Sequence, residues 1–491
     1  MKFSSKLLSI SATVALATSF FYGAGEPTNL LTKEKATFSE VALEEIIFQA
    51  KPGFDAKNYI QSIGGSVEQE VDLIDGFIAL VPVNRLNQVK QEVGFKNISE
   101  SNRIESAKFK IGEENKLGKA LGNRNTHKEL INADDVNYTG SGVTVAVLDS
   151  GVSDISDLNV TKSFAINPVA TTVDDLYGHG THVAGIITGD SIHAGVAPKT
   201  NIINVKLGTD NGEVDEVDLL LGLQWVYDNK EDYNIKVVNL SVSSTINQSY
   251  LDSPVSAAVE QLWLNGVTVV TAAGNDQTNQ SDINYPPAND PFVITVGAFD
   301  GAGKYAPNSI ELAPWSKRGV TEDEVVKPEL NAPGMKLVSY LPSETAILAK
   351  ENPEAVYNKN FIEMSGTSMS APVVTGAIAL LLEANPELTP NQIKYLLTQT
   401  AQPTATKGAN IIDVAKAIEL ANNADYLTQI DLSSYNKWEQ SEFVNTQDNT
   451  VDYSKFTWRS LEWLKFTWRS VDWAKFTWRS QWEEIGQTIS E

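Results

Sequence analysis

Four histidines, no cysteine and a serine set just ahead of an apolar run are the residues from which chemistry can be argued in this chain of 491 residues. Without cysteine there is no disulfide, no thiol nucleophile and no Cys-ligated zinc. A hydrolase working near neutral pH then needs one of His127, His179, His182 or His193 as its general base. His179 and His182 stand in Gly178-His179-Gly180-Thr181-His182-Val183-Ala184-Gly185. The small residues around His179 let a backbone or a substrate approach closely. A His-x-x-His pair also suggests a metal, but a zinc-binding helix places its histidines at i and i+4 with a Glu between them. Here no acid intervenes and the pair is one residue too close, so the pair is not read as a metal site, and metal elsewhere in the chain is left unknown.

Ser368 lies in Met364-Ser365-Gly366-Thr367-Ser368-Met369-Ser370-Ala371-Pro372. The following run, 373–382, is apolar all round and predicts a buried helix with Pro372 in its first turn. Ser368 then sits at a helix N-terminus, where backbone N–H groups and the dipole favour negative charge. A nucleophile wants that setting, because the intermediate it forms carries an oxyanion. A serine there also serves as a plain N-cap. Asp149 directly follows the apolar run 143–148; it is either a site acid or a turn aspartate. Asn275, in Ala272-Ala273-Gly274-Asn275-Asp276, has a side-chain N–H suited to an oxyanion, and it also suits a turn.

The elements that must position these residues have an α/β grammar from about 122 to 423. The runs 143–148, 202–205, 237–240, 267–272 and 293–296 are nearly continuous apolar strands separated by helices. That pattern predicts a mostly parallel sheet covered by helices on both faces, with working groups at the carboxyl ends of the strands. Upstream, 44–105 alternates differently. It reads as a strand at 46–48, a helix at 54–63, a turn at Gly64-Gly65, paired strands at 67–72 and 76–81, a helix at 86–93 and an extended stretch at 95–104. This is the order of a small α+β ferredoxin-like unit.

Asp, His and Ser in that chain order are specific where each alone is not. On Val147-Leu148-Asp149-Ser150-Gly151-Val152, on the stretches around His179 and Ser368, and on Ala272-Ala273-Gly274-Asn275, the chain resembles the subtilisin-like serine proteases, the subtilases. The resemblance covers about 122–423, and 44–105 resembles the family's inhibitory propeptide. It implies that Ser368 attacks a peptide carbonyl, His179 shuttles the proton, Asp149 orients and stabilises the imidazolium, and Asn275 with the Ser368 N–H binds the oxyanion. Ser241, Val242 and Ser243 would pair with an extended polypeptide substrate. Ala272, Ala273 and Gly274 would line the primary pocket, with Asn284 at its base. Ser243 departs from the glycine usual in the family. The spacing from His179 to Pro198 also departs, being shorter than the calcium-holding loop of secreted subtilisins and offering mainly Asp190. No cofactor is required for the chemistry, and a structural calcium ion is left open. The propeptide is expected to be cut off by the enzyme itself within the linker 106–121 and to act as an intramolecular inhibitor.

Other features address the compartment. Lys2 and Lys6 precede an uncharged, largely apolar stretch from Leu7 to Tyr22 and then Gly23, Ala24 and Gly25. That is the pattern of a secretory signal peptide, 1–25; a membrane anchor is the other reading of so short a run. The net charge of -24 repels phosphate backbones, so nucleic acid is not an expected partner. After a polar linker at 425–454, Lys-Phe-Thr-Trp-Arg-Ser recurs unchanged from Lys455, Lys465 and Lys475. Alternating rings suit a strand with one aromatic face, packed on one another or on the protease, partly disordered, or stacking on cell-wall or other surface polymers. The sequence thus predicts an extracellular endopeptidase, retained at the cell surface if the tail binds there. The competing reading makes the aromatic tail the main functional part of a surface-binding protein. A lipase or esterase is excluded by the triad order and by the missing Gly-x-Ser-x-Gly elbow.

Overall fold

The computed structural model describes residues 42–106, 110–111, 127–190, 195–276, 279–300, 310–406, 409–435, 437–441 and 443–444. The signal peptide read at 1–25, most of the linker at 106–121, His193 and the aromatic repeats at 455–482 lie outside the described residues.

The first described residues form a four-stranded antiparallel sheet in which Leu43–Ala50 lies between Gly76–Pro82 and Phe95–Glu100, with Ser66–Val71 at the edge. The helix Ala56–Ser62 starts two residues later than its pattern suggests, because the Asp55 carboxylate caps it, accepting the Asn58 N–H at 3.1 Å. The second helix is confined to Leu86–Lys90. Phe48 stacks on Phe77 at 5.2 Å and packs against Phe95 at 4.7 Å between ring centroids, which gives this unit a core of its own.

A nine-stranded sheet follows, in the order Gln402–Pro403, Asn410–Ile411, Leu330–Pro333, Ile294–Phe299, Thr268–Ala272, Ile235–Leu240, Thr144–Asp149, Asn201–Lys206, Val160–Ala165. Every neighbouring pair is parallel except the first. The central strands are buried along their whole length, as near-continuous apolar runs require. Alternate side chains feed opposite faces. Val145 and Val147 join a core with the helices His179–Thr188 and Thr367–Ala384, whereas Ala146 and Leu148 join one with Glu216–Asn229 and Pro254–Leu264. Thr367–Ala384 is long and apolar enough to cross a membrane, yet it is the buried central helix of this core.

Three further segments depart from their sequence patterns. The stretch at 95–104 is not one strand; it breaks after Glu100 and resumes as Arg103–Ser106 in a different sheet. At the break the buried Glu216 carboxylate accepts both the backbone N–H (3.1 Å) and side-chain N–H (3.0 Å) of Asn102. Burial lifts the Glu216 carboxyl to about 7, against the lowering effect of those bonds. Within the linker at 106–121, the backbone of Lys110–Ile111 pairs with Phe361–Ser365. The linker at 425–454 begins with the helix Ala424–Leu427 and later buries Ser441, Phe443 and Val444.

Candidate active site

Asp149 is the last residue of its strand and is buried. His179 is the first residue of the helix His179–Thr188 and is fully buried. Asp149 Oδ1 lies 2.7 Å from His179 Nδ1 and also accepts the Ser150 N–H at 2.7 Å. The helix can begin this close to the aspartate only because residue 180 is glycine. A Cβ there would stand 2.1 Å from the Gly151 carbonyl oxygen.

Asp175 holds the start of that helix, a role that went unread in the sequence. Its carboxylate accepts the N–H groups of Gly178 (2.7 Å) and Thr181 (2.9 Å) and the hydroxyl of Ser150 (2.9 Å). An acid four residues before His179, at the mouth of a helix, is the signal that could have found it. Burial raises the Asp175 carboxyl above the ordinary carboxylate range, against those donors. Burial depresses the His179 imidazole, but the charge and hydrogen bond of Asp149, with the charge of Asp175 behind it, outweigh this and leave it above the ordinary histidine value. His182 belongs to the scaffold. Its Nε2 faces the carbonyls of Leu337 (3.2 Å) and Ile362 (3.1 Å), and burial pushes its pKa down to about 3, so it is neutral. Among the described residues no group of three or more His, Cys, Asp or Glu side chains could hold a metal ion.

Ser368 is the second residue of Thr367–Ala384, whose N-cap is Gly366, so the serine is not a cap. Pro372 is the sixth residue of the helix rather than part of its first turn. Proline there has no N–H to give to the carbonyl of Ser368, four residues back. The hydroxyl of Ser241 supplies that bond at 2.9 Å, and the Ser368 hydroxyl donates to the Ser241 carbonyl at 3.2 Å. Asn239 Nδ2 donates to Ser241 Oγ at 3.0 Å, and Thr375 Oγ1 donates to Asn239 Oδ1 at 2.8 Å. The nucleophile candidate is thereby tied to the end of the strand Ile235–Leu240.

Asn275 follows the strand Thr268–Ala272. Its Oδ1 accepts the Thr367 N–H at 2.9 Å, and the Thr367 hydroxyl accepts the Gly274 N–H at 3.0 Å. These two bonds fix the asparagine against the helix start that carries Ser368. Its Nδ2, shielded from solvent, has no hydrogen-bond partner among the described residues. A buried donor without an acceptor costs about 1–3 kcal/mol, which a water or a ligand's acceptor oxygen would recover.

The strand Val242–Ser244 is already paired. Arg103–Ser106 lies antiparallel to it, with Ser243 opposite Glu105 and Ser244 opposite Ile104, and is flanked on its other side by Val214–Asp215. Ile104 is buried among the apolar residues of this region. Further along the chain, Lys110 pairs with Ser365, three residues before Ser368. Ala272, Ala273 and Gly274 are buried beside Asn275, and Gly274 packs against the Lys317 side chain. Asn284 is half-buried, its Oδ1 held by the Glu322 N–H at 2.8 Å, while its neighbour Pro286 accepts the Ser244 N–H at 2.9 Å.

A doubly covered, mostly parallel sheet with Asp149, His179, Asn275 and Ser368 at its carboxyl edge is the arrangement expected of a serine protease of the subtilisin class. The model of the subtilase family matches residues 140–428, and the chain belongs to that family. It is similar to the serine protease AprX of Bacillus subtilis (strain 168), at 31% identity over 58% of this chain and 67% of AprX. It is likewise similar to subtilisin BL of Lederbergia lenta, at 34% over 54% of this chain and 84% of that protein. The minor extracellular protease Epr of Bacillus subtilis (strain 168) is 33% identical over 55% of this chain, which spans only 36% of Epr. Among solved structures, fervidolysin from Fervidobacterium pennivorans, a keratinolytic enzyme related to subtilisin, shares the fold. Its TM-score is 0.60 at 24% identity, covering 78% of this chain and 62% of fervidolysin.

Proposed function

We propose that this chain is the precursor of a secreted serine endopeptidase that cuts extended polypeptides with Asp149, His179 and Ser368, and that residues 44–105 are its own inhibitor. The observation that carries the reading is the unpartnered Nδ2 of Asn275, fixed beside the helix start that bears Ser368. Ser368 Oγ attacks the scissile carbonyl as His179 takes its proton. The negative charge that develops on the carbonyl oxygen is met by Asn275 Nδ2 and the Ser368 N–H. His179 then gives the proton to the leaving amine as the C–N bond breaks, and water repeats the sequence on the acyl-enzyme. Asp149 keeps the proton of the neutral imidazole on Nδ1 and stabilises the imidazolium. The chemistry requires no metal or cofactor.

The pairings of Arg103–Ser106 with the substrate edge and of Lys110 with Ser365 support self-processing. They bracket Ser368 from both sides, which narrows the cut from the whole of 106–121 to the bonds between Ser106 and Lys110. Mass spectrometry of the matured enzyme is expected to find its first new amino terminus there. A first cut elsewhere, or one made only by an added protease, would contradict the reading. Ala272, Ala273, Gly274 and Asn284 would shape the primary pocket beside this edge. The basic, apolar start of the chain supports export, and the aromatic repeats would hold the enzyme on a wall or surface polymer.

A pH profile tests the base separately. Only neutral His179 accepts a proton, so kcat/KM falls as pH drops through its pKa. Asp149 and Asp175 hold that pKa above the ordinary value near 6.5, so the acid limb should lie above it. Asp175→Asn removes one of the two raising charges and is expected to move the limb to lower pH. An unmoved limb would show that Asp175 does not reach His179 electrostatically.

A further inference from the structure

The stretch before the aromatic repeats is not a free linker where it is described. The Ser441 N–H donates to both carboxylate oxygens of the buried Glu260 at 3.0 Å, and the Ser441 hydroxyl reaches the carbonyls of Leu251 and Ser253, each at 3.0 Å. Glu439 accepts the Tyr250 hydroxyl through its carbonyl at 2.9 Å. All these partners belong to the protease domain, on or just before the helix Pro254–Leu264.

Phe443 and Val444 turn the other way. Both are buried in an apolar cluster that takes Val255, Ala258 and Leu262 from that helix, Ile47 and Ile78 from the N-terminal sheet and Ile74 from the turn Asp72–Ile74 between two of its strands. The Gln49 side-chain amide of the N-terminal sheet donates to the Phe443 carbonyl and to the Ile74 carbonyl, while its oxygen accepts the Asn97 side-chain N–H at 2.7 Å. Gln49 is itself 3% exposed. A buried amide with all these groups satisfied loses a partner if either neighbour leaves.

We propose that the segment around Ser441 and Phe443 is a strap seated in a joint site, built half by the N-terminal domain and half by the protease, so that strap and N-terminal domain hold each other in place. Each buries surface the other needs covered, and such coupling is reciprocal. Departure of the N-terminal domain uncovers Phe443 and Val444 and frees the segment that leads to the aromatic repeats. Loss of the strap loosens the N-terminal domain. The consequence for activity rests on reading 44–105 as an inhibitor; the coupling itself does not.

The test is amide hydrogen exchange on the full-length Ser368→Ala chain, which keeps all its parts. Adding Phe443→Ala is expected to speed exchange in Asp72–Ile74 and Gly76–Pro82 by about 10-fold, while Thr144–Asp149 and Thr268–Ala272 stay as protected as before. Adding Gln49→Ala instead, in the other domain, is expected to speed exchange of the Ser441 and Val444 amides. If Phe443→Ala unsettles the central sheet, the Gln49→Ala arm decides. Unchanged exchange at the partner site overturns the strap. In the active chain, Phe443→Ala should also shorten the lag between the first cut and peptide hydrolysis by about 10-fold. A parent chain with no lag at all would speak against the inhibitor, with the strap still judged by exchange.

Discussion

Ser368→Ala and His179→Ala are each expected to lower peptide-hydrolysis kcat by roughly 10⁶-fold, a magnitude known from a subtilisin rather than deduced from this site. The Ser368→Ala precursor should also remain uncut at 106–110. Nucleophile and base act as one unit, so the double variant should be no worse than either single one. The chain should still fold. The bond that Ser368 Oγ gives to the Ser241 carbonyl, at 3.2 Å, is of the kind worth about 1 kcal/mol, small beside the stability of a domain. His179→Ala costs more, because it takes a hydrogen-bond partner from a buried aspartate. Steady-state kinetics with a chromogenic peptide, beside thermal unfolding, separates lost chemistry from lost structure. Activity within 100-fold of the parent in either folded variant would remove the triad assignment (a threshold of about 2.7 kcal/mol).

Asn275→Leu is the second large effect. It keeps the bulk and deletes the Nδ2 donor, and kcat is expected to fall by roughly 10²–10³, again a magnitude known from a subtilisin. KM should move far less, because the donor meets charge that develops only in the transition state. The substitution also strips the Thr367 N–H of its acceptor, a cost of about 1–3 kcal/mol that is offset in part because the unsatisfied Nδ2 goes with it. A variant with unchanged kcat would mean that the orphaned amide serves packing alone.

The sequence was most informative where structure is local. Strands such as Thr144–Asp149 are apolar throughout because both faces are covered, and the groups that end them stand at the carboxyl edge for the same reason. What was missed depends on distant partners. Nothing near Glu100 announces that Glu216, 114 residues beyond Asn102, will capture the chain and redirect it into another sheet. Apolar periodicity begins after Pro372 and so points to it as a first-turn residue, whereas the helix begins at Thr367, whose side chain and amide are held by Gly274 and Asn275. The polar composition around Ser441 hid a strap whose hydrogen bonds are met by Glu260, Leu251 and Ser253.

The position of Arg103–Ser106 between Val214–Asp215 and Val242–Ser244 has one more consequence. When that strand is withdrawn, the two edges face each other across two strand spacings, about 10 Å. A helix, about 10–12 Å across with its own backbone bonds already made, cannot supply the missing rung. If a substrate takes that strand's place, as proposed above, a folded target must peel a segment open before it can be cut, and the cost of that opening multiplies into the rate. Each ~1.4 kcal/mol needed to unfold the segment locally lowers the cuttable population about tenfold. The choice of cleavage site is then written partly in the target's own fluctuations. A frayed loop with an indifferent sequence will be cut before a well-matched sequence locked in a helix.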